Sequence, residues 1–428
     1  MARPDHSTKK GINRRQVLKR MAGTSAALAL GFKPGAATAA GKQDIQHIVL
    51  VMMENRSFDH FLGWVPGSDG QQAGLTYLDT SGKPQFTSPL APDYQGCSHP
   101  DPAHSYDAGR IEYNDGACDG WLLAGENDIY AIGYYTQNDL PFYAGLVQNW
   151  LTCDGYFAAI MASTFPNRIY QHAAQTDRIN NSLAISSLPT IWDLLASHGL
   201  QGRYYYTDLP ILALWGRKYR SISHHLTRFL SDCRAGTLPH VAFVDPKFGN
   251  EAKGTSWDDH PYADIRNGQA FLNLIYRAIV SSPNWPNTVL VINYDEWGGF
   301  FDHVPPTAAP LPLADQEAGN QDGLRGFRVP NFIVSPWTPR GTVGHGLYDH
   351  TSVLRMIEWR WDLPPLTVRD ETANNLADLL DFSYTNLEAP PFVVPGITLH
   401  QVCPVAPSAP NEWDHLRQLA RSSGFATY

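Results

Sequence analysis

An α/β fold with a mostly parallel central sheet follows from three observations. Ile45 to Met53 is almost continuously apolar, and Val241 to Val244, Val289 to Tyr294 and Phe332 to Ser335 share that character. Runs without polar alternation mark strands buried on both faces, as parallel strands are. Between them lie stretches with helical spacing, and strands alternating with helices fold as a helix-covered parallel sheet.

Taken in order, the first element is a leader rather than part of the fold. Lys9, Lys10, Arg14, Arg15, Lys19 and Arg20 form a basic head, Met21 to Phe32 is apolar and small, and Ala37-Thr38-Ala39 reads as a cleavage site. This is the plan of a secretory signal peptide over residues 1–39. The arginine pair in NRRQVLK resembles a twin-arginine signal, although Asn13 and Val17 depart from its consensus. Residues 40–428 are expected to form a single catalytic domain. They hold no apolar stretch long enough for a membrane span, so no transmembrane segment is expected in the mature, exported chain.

The first strand runs into Glu54-Asn55-Arg56-Ser57-Phe58-Asp59-His60, with Phe58 and Phe61 expected to anchor the turn. Pro189 to His198 is predicted as a helix, with Pro near its start and Gly199 after its end. Asp264 to Ser281 predicts a longer amphipathic helix, and Thr351 to Trp361 another, stopped by Pro364-Pro365. His224 and His225 fall on what reads as a helix and receive no role. The five cysteines show no metal-site spacing, and an odd number cannot all pair. One or two disulfides or buried free thiols are both compatible with export. The net charge of −9, with no basic block outside the leader, excludes nucleic acid as a partner.

Chemistry gathers where strands end. In open parallel sheets, ligands collect beyond the carboxyl ends of the strands. The first strand delivers Glu54 and Asn55 there, and VLVINY delivers Asp295 and Glu296. Three carboxylates in one crevice repel unless a cation lies between them, and hard oxygens with one amide suit a divalent metal ion. Helix caps or solvated turns are the plainer reading of each pair alone. Thr164 precedes Pro166 at a predicted helix start, where free N–H groups and the helix dipole favour an anion. A hydroxyl there is a candidate nucleophile for a phosphoryl centre, and also an ordinary N-cap. His99, His104, His260 and His350 sit in loops beside acids and prolines, placed for substrate contact or for structure.

Seven blocks carry a resemblance: ENRSFDHFLG, DLPFYAGL, TFPNRIY, AGTLPHVAFVDP, DDHPYADIRNGQAF, YDEWGGFFDHV and YDHTSVLRMIE. In this order they resemble the bacterial phosphoesterase family of secreted phospholipases C and related acid phosphatases. The resemblance implies an alkaline-phosphatase-like α/β sandwich with helices on both faces. It implies a divalent metal at Glu54, Asn55, Asp295 and Glu296, and Thr164 as a nucleophile that becomes a phosphothreonine. It puts His104, Asn167 and His350 on the substrate, with His260 protonating the leaving oxygen. The activity implied is hydrolysis of phospholipid head-group phosphodiesters, with peripheral contact at a lipid surface. The alternative is an acid phosphatase acting on small soluble phosphate monoesters. Sulfatase chemistry is disfavoured, because T-F-P-N-R offers a threonine where those enzymes need Cys or Ser. The larger phospholipases C also carry a β-rich C-terminal domain, for which too few residues follow PPFVVPGITLHQVCP. Arg56 is expected either on phosphate or in an ion pair with Asp59 or another acid.

Overall fold

Eight strands make the central sheet of the computed structural model, which describes residues 40–397, 402–404 and 412–428. The expected leader, residues 1–39, lies outside them. The strands are β1 (His47–Met53), β2 (Leu151–Cys153), β3 (Gly202–Tyr206), β4 (Ser223–His225), β5 (Val241–Asp245), β6 (Thr288–Tyr294), β7 (Asn331–Val334) and β8 (Thr342–Gly344). Their spatial order is β8-β2-β7-β6-β1-β5-β3-β4. The helices that matter below are α1 (Thr164–Ala173), α2 (Ile191–Ser197), α3 (Leu226–Ala235), α4 (Ile265–Val280), α5 (His350–Trp361) and α6 (Glu412–Ser422).

β1 lies at the middle, parallel to β5 on one side and β6 on the other. Its residues Ile48 to Met53 are buried on both faces, as the unbroken apolar run predicts. Each such side chain contributes about 1.5–3 kcal/mol on leaving water. β5, β3 and β4 extend the parallel half. β7 departs from the expected direction and runs antiparallel to both β6 and β2. A parallel pairing needs a crossover back over the sheet. The segment between β6 and β7 holds only the five-residue helix Leu313–Glu317, so the chain turns back at the same edge.

The predicted helices form with their caps. Thr190 and Asp193 make a reciprocal capping box at the start of α2. Asp264 accepts from the Arg266 N–H before α4, whose Phe271, Leu272, Ile275, Tyr276 and Ile279 face the core. Asp349 caps α5, which begins at His350. The exception is His224-His225, read as helical but forming the short edge strand β4. His225 then caps α3 by accepting from the Thr227 N–H. Cys97 and Cys403 form a disulfide, while Cys118, Cys153 and Cys233 are buried thiols. No helix among the described residues is long and apolar enough to cross a membrane.

A buried ion network supports the turn after β1. Arg328 donates to Asp59 Oδ1 at 3.0 Å and to Asp302 Oδ1 at 2.9 Å. His303 bonds Asp59 through Nδ1 and lies 3.2 Å from Asp69 through Nε2. With Arg328 inside it, this acid cluster is neutralised by protein rather than prepared for a metal ion. Burial alone would lower the His303 pKa, but the bond to Asp59 and the charges of Asp59 and Asp302 outweigh it and raise it. A histidine raised on folding stabilises fully at low pH and loses that contribution as pH rises through its folded value. His303→Gln should therefore lower the melting temperature more at about pH 6 than at about pH 9. Equal losses at the two pH values, measured by calorimetry, would show that the imidazolium contributes nothing.

Candidate active site

The register of β1 against β6 pairs Met53 with Tyr294, so Glu54 and Asp295 leave the sheet side by side. The two ends are stitched together. Asp295 N–H donates to Met53 O, Arg56 N–H to Glu296 O, and Asn55 N–H to Asp295 Oδ1. Asn55 holds φ at 60°, in the left-handed region that Asn tolerates better than most residues. A Cβ on Gly298 would stand 2.3 Å from the Asn55 carbonyl oxygen, so glycine is required there.

Four buried oxygens at this edge have no hydrogen-bond partner: Glu54 Oε2, Asn55 Oδ1, Glu296 Oε1 and Asp258 Oδ2. An unpaired buried carboxylate oxygen is costly, and oxygens of this kind suit a hard divalent cation. Glu54, Glu251 and Asp258 bring one carboxylate oxygen each within 4.8 Å of one another. Burial, then repulsion from Asp295, Asp258 and Glu251, pushes Glu54 well above the usual carboxylate range. Burial lifts Glu296 to about 8 and Asp258 to about 6. The grouped carboxylates of Glu54, Glu251 and Asp258 thus fit a metal ion. Of the expected set only Glu54 belongs to this group, while Asn55 and Glu296 lie beside His104 with one unpaired oxygen each. Both Asp295 oxygens are already engaged, Oδ1 by the Asn55 and Glu296 N–H groups and Oδ2 by Arg168.

Arg168 is the cation the chain itself supplies. Its Nε reaches Asp295 Oδ2 at 3.0 Å and its Nη1 reaches Asp245 Oδ1 at 3.3 Å. Nη2 donates to Met53 O at 3.0 Å. It lies four residues after Thr164 on α1, hence on the same helix face. Thr164 Oγ1 donates to Glu54 Oε1 at 3.1 Å. The N-cap of α1 is Ser163, with Thr164 the first helical residue. Its helix start is also less open to an anion than expected, because Asn181 Oδ1 accepts the Phe165 N–H and Pro166 has none.

The histidines separate into two groups. His104 Nδ1 bonds Pro102 O at 2.7 Å, turning Nε2 toward Asn55 Nδ2 at 3.3 Å and Glu296 Oε1 at 3.9 Å. Burial would lower its pKa, but Glu296 and Asp101 outweigh that and raise it to about 9. His260 Nε2 stands 3.1 Å from Glu251 Oε1 and 3.3 Å from Asp101 Oδ2, and its buried Nδ1 has no partner. His350 and Asn167 do not join this cluster by any contact. His350 is buried and bonds Tyr294 O at 2.9 Å behind the end of β6; burial drops its pKa to about 4, leaving it neutral. Asn167 spends its amide on backbone, donating to Ile160, Ala162 and Ser163 carbonyls and accepting from the Ile160 N–H. It braces the turn that presents Thr164. His99 pairs with Asp128 and stacks on Tyr130.

Arg56 follows neither expectation. It is fully buried, stacks on Phe300, and donates to the Asp259 and His260 carbonyls at 2.6 and 3.1 Å. It thus positions the His260 loop rather than meeting phosphate or Asp59. Among the residues not singled out from the sequence, Arg168 and Asp258 stood within quoted motifs, and Asp101 lies between His99 and His104. Glu251 sits in a Gly-Asn-Glu-Ala-Lys-Gly turn that carries no signal. A surface cavity of about 740 Å³ between α3, α4 and residues 394–397 shares none of these residues.

Residues 45–364 match the sequence model of the Phosphoesterase family. The chain is 32% identical to non-specific phospholipase C5 of Arabidopsis thaliana, over 78% of this chain and 74% of that protein. It is 28% identical to phospholipase C A of Mycobacterium tuberculosis, over 87% of this chain and 86% of the relative. Among solved structures it resembles a phosphonate monoester hydrolase of Agrobacterium radiobacter at 12% identity, covering 78% and 77% of the two chains with a TM-score of 0.39. The fold class rests on the sheet itself and not on that likeness.

The orphaned oxygens make a prediction about the protein without its metal ion. Glu54→Gln and Glu296→Gln each remove a buried carboxylate, and the relief of repulsion at Glu54 should raise the melting temperature of the cation-free Glu54→Gln protein. Both should weaken binding of a divalent cation, followed by titration calorimetry, by about 10-fold or more. Unchanged affinity in both variants would place the ion elsewhere. The chain belongs to the phosphoesterase family and is a hydrolase of phosphate ester bonds, with its candidate active site at the carboxyl edge of β1 and β6.

Proposed function

We propose that the chain is an exported, metal-dependent phospholipase C that splits phospholipid head-group phosphodiesters through a phosphothreonine. The observation that carries this reading is the 3.1 Å bond from Thr164 Oγ1 to Glu54 Oε1, beside the four unpartnered oxygens. A divalent cation bound by Glu54, Glu251 and Asp258 would offset their charge and polarise a phosphoryl oxygen.

Thr164 Oγ1 attacks phosphorus and passes its proton to Glu54 Oε1, which already accepts its hydrogen bond. The bond from phosphorus to the glycerol oxygen breaks. His260, tied through Nε2 and unpartnered at Nδ1, gives that oxygen its proton, and diacylglycerol leaves. A water then attacks phosphorus and gives a proton to His260. The bond from phosphorus to Thr164 Oγ1 breaks, Glu54 returns its proton to that oxygen, and the phosphorylated head group is released. His104 stands at the same edge, its pKa raised by Glu296 and Asp101.

Charge also favours the diester over the monoester. Glu54, Asp258, Glu251, Glu296, Asp295 and Asp101 surround the site against Arg168 and a divalent ion. A phosphodiester adds one negative charge to this field, whereas a monoester dianion adds two and is the harder guest. The basic head, apolar core and Ala37-Thr38-Ala39 of residues 1–39 support export, by the twin-arginine route on the Arg14-Arg15 pair.

The test is an assay of phosphatidylcholine beside a soluble aryl phosphate monoester. Wild type should release phosphocholine, and Thr164→Ala should lose activity by about 10³-fold or more while keeping its fold. Chelation should abolish turnover and added divalent cation restore it. Near-normal turnover by Thr164→Ala would remove the nucleophile assignment, and turnover of the monoester alone would identify an acid phosphatase.

A further inference from the structure

His260 is held by two carboxylates that come from irregular segments far apart in sequence. Asp101 lies on the loop before the helix Tyr106–Tyr113, and Glu251 opens a short 3-10 turn, Glu251–Lys253. Neither segment is fixed by a sheet or a long helix, yet both oxygens stand within 3.3 Å of one imidazole nitrogen. Their joint position depends on a strap made elsewhere in the chain. Cys97, four residues before Asp101, is bonded to Cys403. The Cys403 N–H donates to Lys253 O at 3.0 Å, two residues past Glu251. Gln95 Nε2 donates to Gly254 O at 2.9 Å, tying the same two segments directly.

The crossing is tight. Gly254 has φ of 68°, and a Cβ there would lie 2.2 Å from Gln95 Nε2, 2.5 Å from Tyr262 O and 2.9 Å from Cys403 Sγ. Tyr262 is two residues beyond His260. Glu251 and Asp101 also repel: burial, then neighbouring carboxylates with Asp101 among them, push Glu251 well above the usual carboxylate range. Without the strap, that repulsion would part the two loops and release the imidazole.

We propose that the Cys97–Cys403 disulfide is a positioning element of the hydrolytic site, holding the Asp101 loop against the Glu251 turn so that both carboxylates orient His260. This inference rests on the reading of His260 as a working residue of the phosphoesterase site. It assigns the disulfide a role in turnover beyond its role in stability.

The experiment uses the mature protein, loaded with divalent cation, on whichever of the two substrates above wild type turns over. Cys97→Ala/Cys403→Ala is compared with wild type well below its melting temperature, with near-UV circular dichroism reporting the folded fraction. Positioning predicts a kcat per folded molecule reduced by about 10- to 100-fold, with KM changed far less. In a Glu251→Gln background, removing the disulfide should cost little more, because the two changes act on one contact. An unchanged kcat in the folded variant, or penalties that multiply in the Glu251→Gln background, would overturn the proposal. Should the double variant not fold, Gln95→Ala keeps the disulfide and removes the direct tie. It should lower kcat in the same direction by a smaller factor, and an unchanged kcat there would also overturn the proposal. Thr164→Ala is run alongside: if it is inactive while the disulfide variants are normal, only the positioning role falls. If Thr164→Ala is active, the site itself has been misread.

Discussion

The rest of the structure is arranged around an electrostatic conflict at the ends of two adjacent parallel strands. β1 and β6 each finish on acids, and their register sets Glu54 beside Asp295 with no space for water to screen them. Neighbouring carboxylates in a buried crevice cannot all ionise without a counter-charge. The fold supplies part of it from α1, where Arg168 spans Asp295 and Asp245, and stacks on Phe248. One guanidinium does not balance the acids gathered there. The remaining demand falls on His104 and on the unpaired oxygens, and it is this residual imbalance that makes the edge a place for a cation and for chemistry. A stability-optimised sheet would end its strands on neutral turn residues.

That imbalance explains why arginines are buried here in unusual roles. Arg56, Arg168, Arg328 and Arg369 are all essentially without solvent contact. Arg168, Arg328 and Arg369 face carboxylates, whereas Arg56 faces carbonyls and a histidine. The planar fork with five donors lets each guanidinium fix two or three segments at once, which an ammonium does not. Arg328 closes the turn after β1, Arg369 the turn before α5 through Asp349, and Arg56 the loop bearing His260. The long loops at the carboxyl edge, lacking regular hydrogen bonding, are thereby given a rigid frame.

How much of this was legible in the sequence depended on range. β1, β5 and β6 were readable because burial on both faces removes polar residues from a run, and α2, α4 and α5 because caps and spacing are local. The direction of β7 was not, since FIVS has the same composition in either sense and only the intervening segment decides. The short strand holding His224 and His225 looked helical because edge pairing leaves no periodicity. In the site, Glu54, Asn55 and Glu296 stood out as polar residues immediately after apolar runs. Glu251 did not, because its place beside His260 is made by a fold closure and not by neighbours in sequence. Asn167 looked like a ligand-contacting polar residue of a motif. Its amide instead serves four backbone groups, a role visible only once the turn before α1 is built.

The loop bearing His260 shows how backbone strain serves this arrangement. Asp258 and Asp259 are consecutive acids, yet they work in opposite directions. Asp258 accepts from Ser256 Oγ and the His260 N–H, and its free oxygen joins the cluster of Glu54 and Glu251. Asp259 turns the other way, accepting from the Tyr143 and Tyr294 hydroxyls. The reversal is made by φ of 76° at Asp259, a conformation that persists only where the surroundings over-determine it. Three restraints do so: Arg56 on the Asp259 carbonyl, the two tyrosines on its carboxylate, and α4, where a Cβ on Gly268 would stand 1.9 Å from Asp259 Oδ1. The same three restraints set the direction in which the chain leaves toward His260. The buried Asp259, lifted by desolvation to about 7, is thus a part of the frame, and the strain it bears is what allows its two neighbours to face the site together.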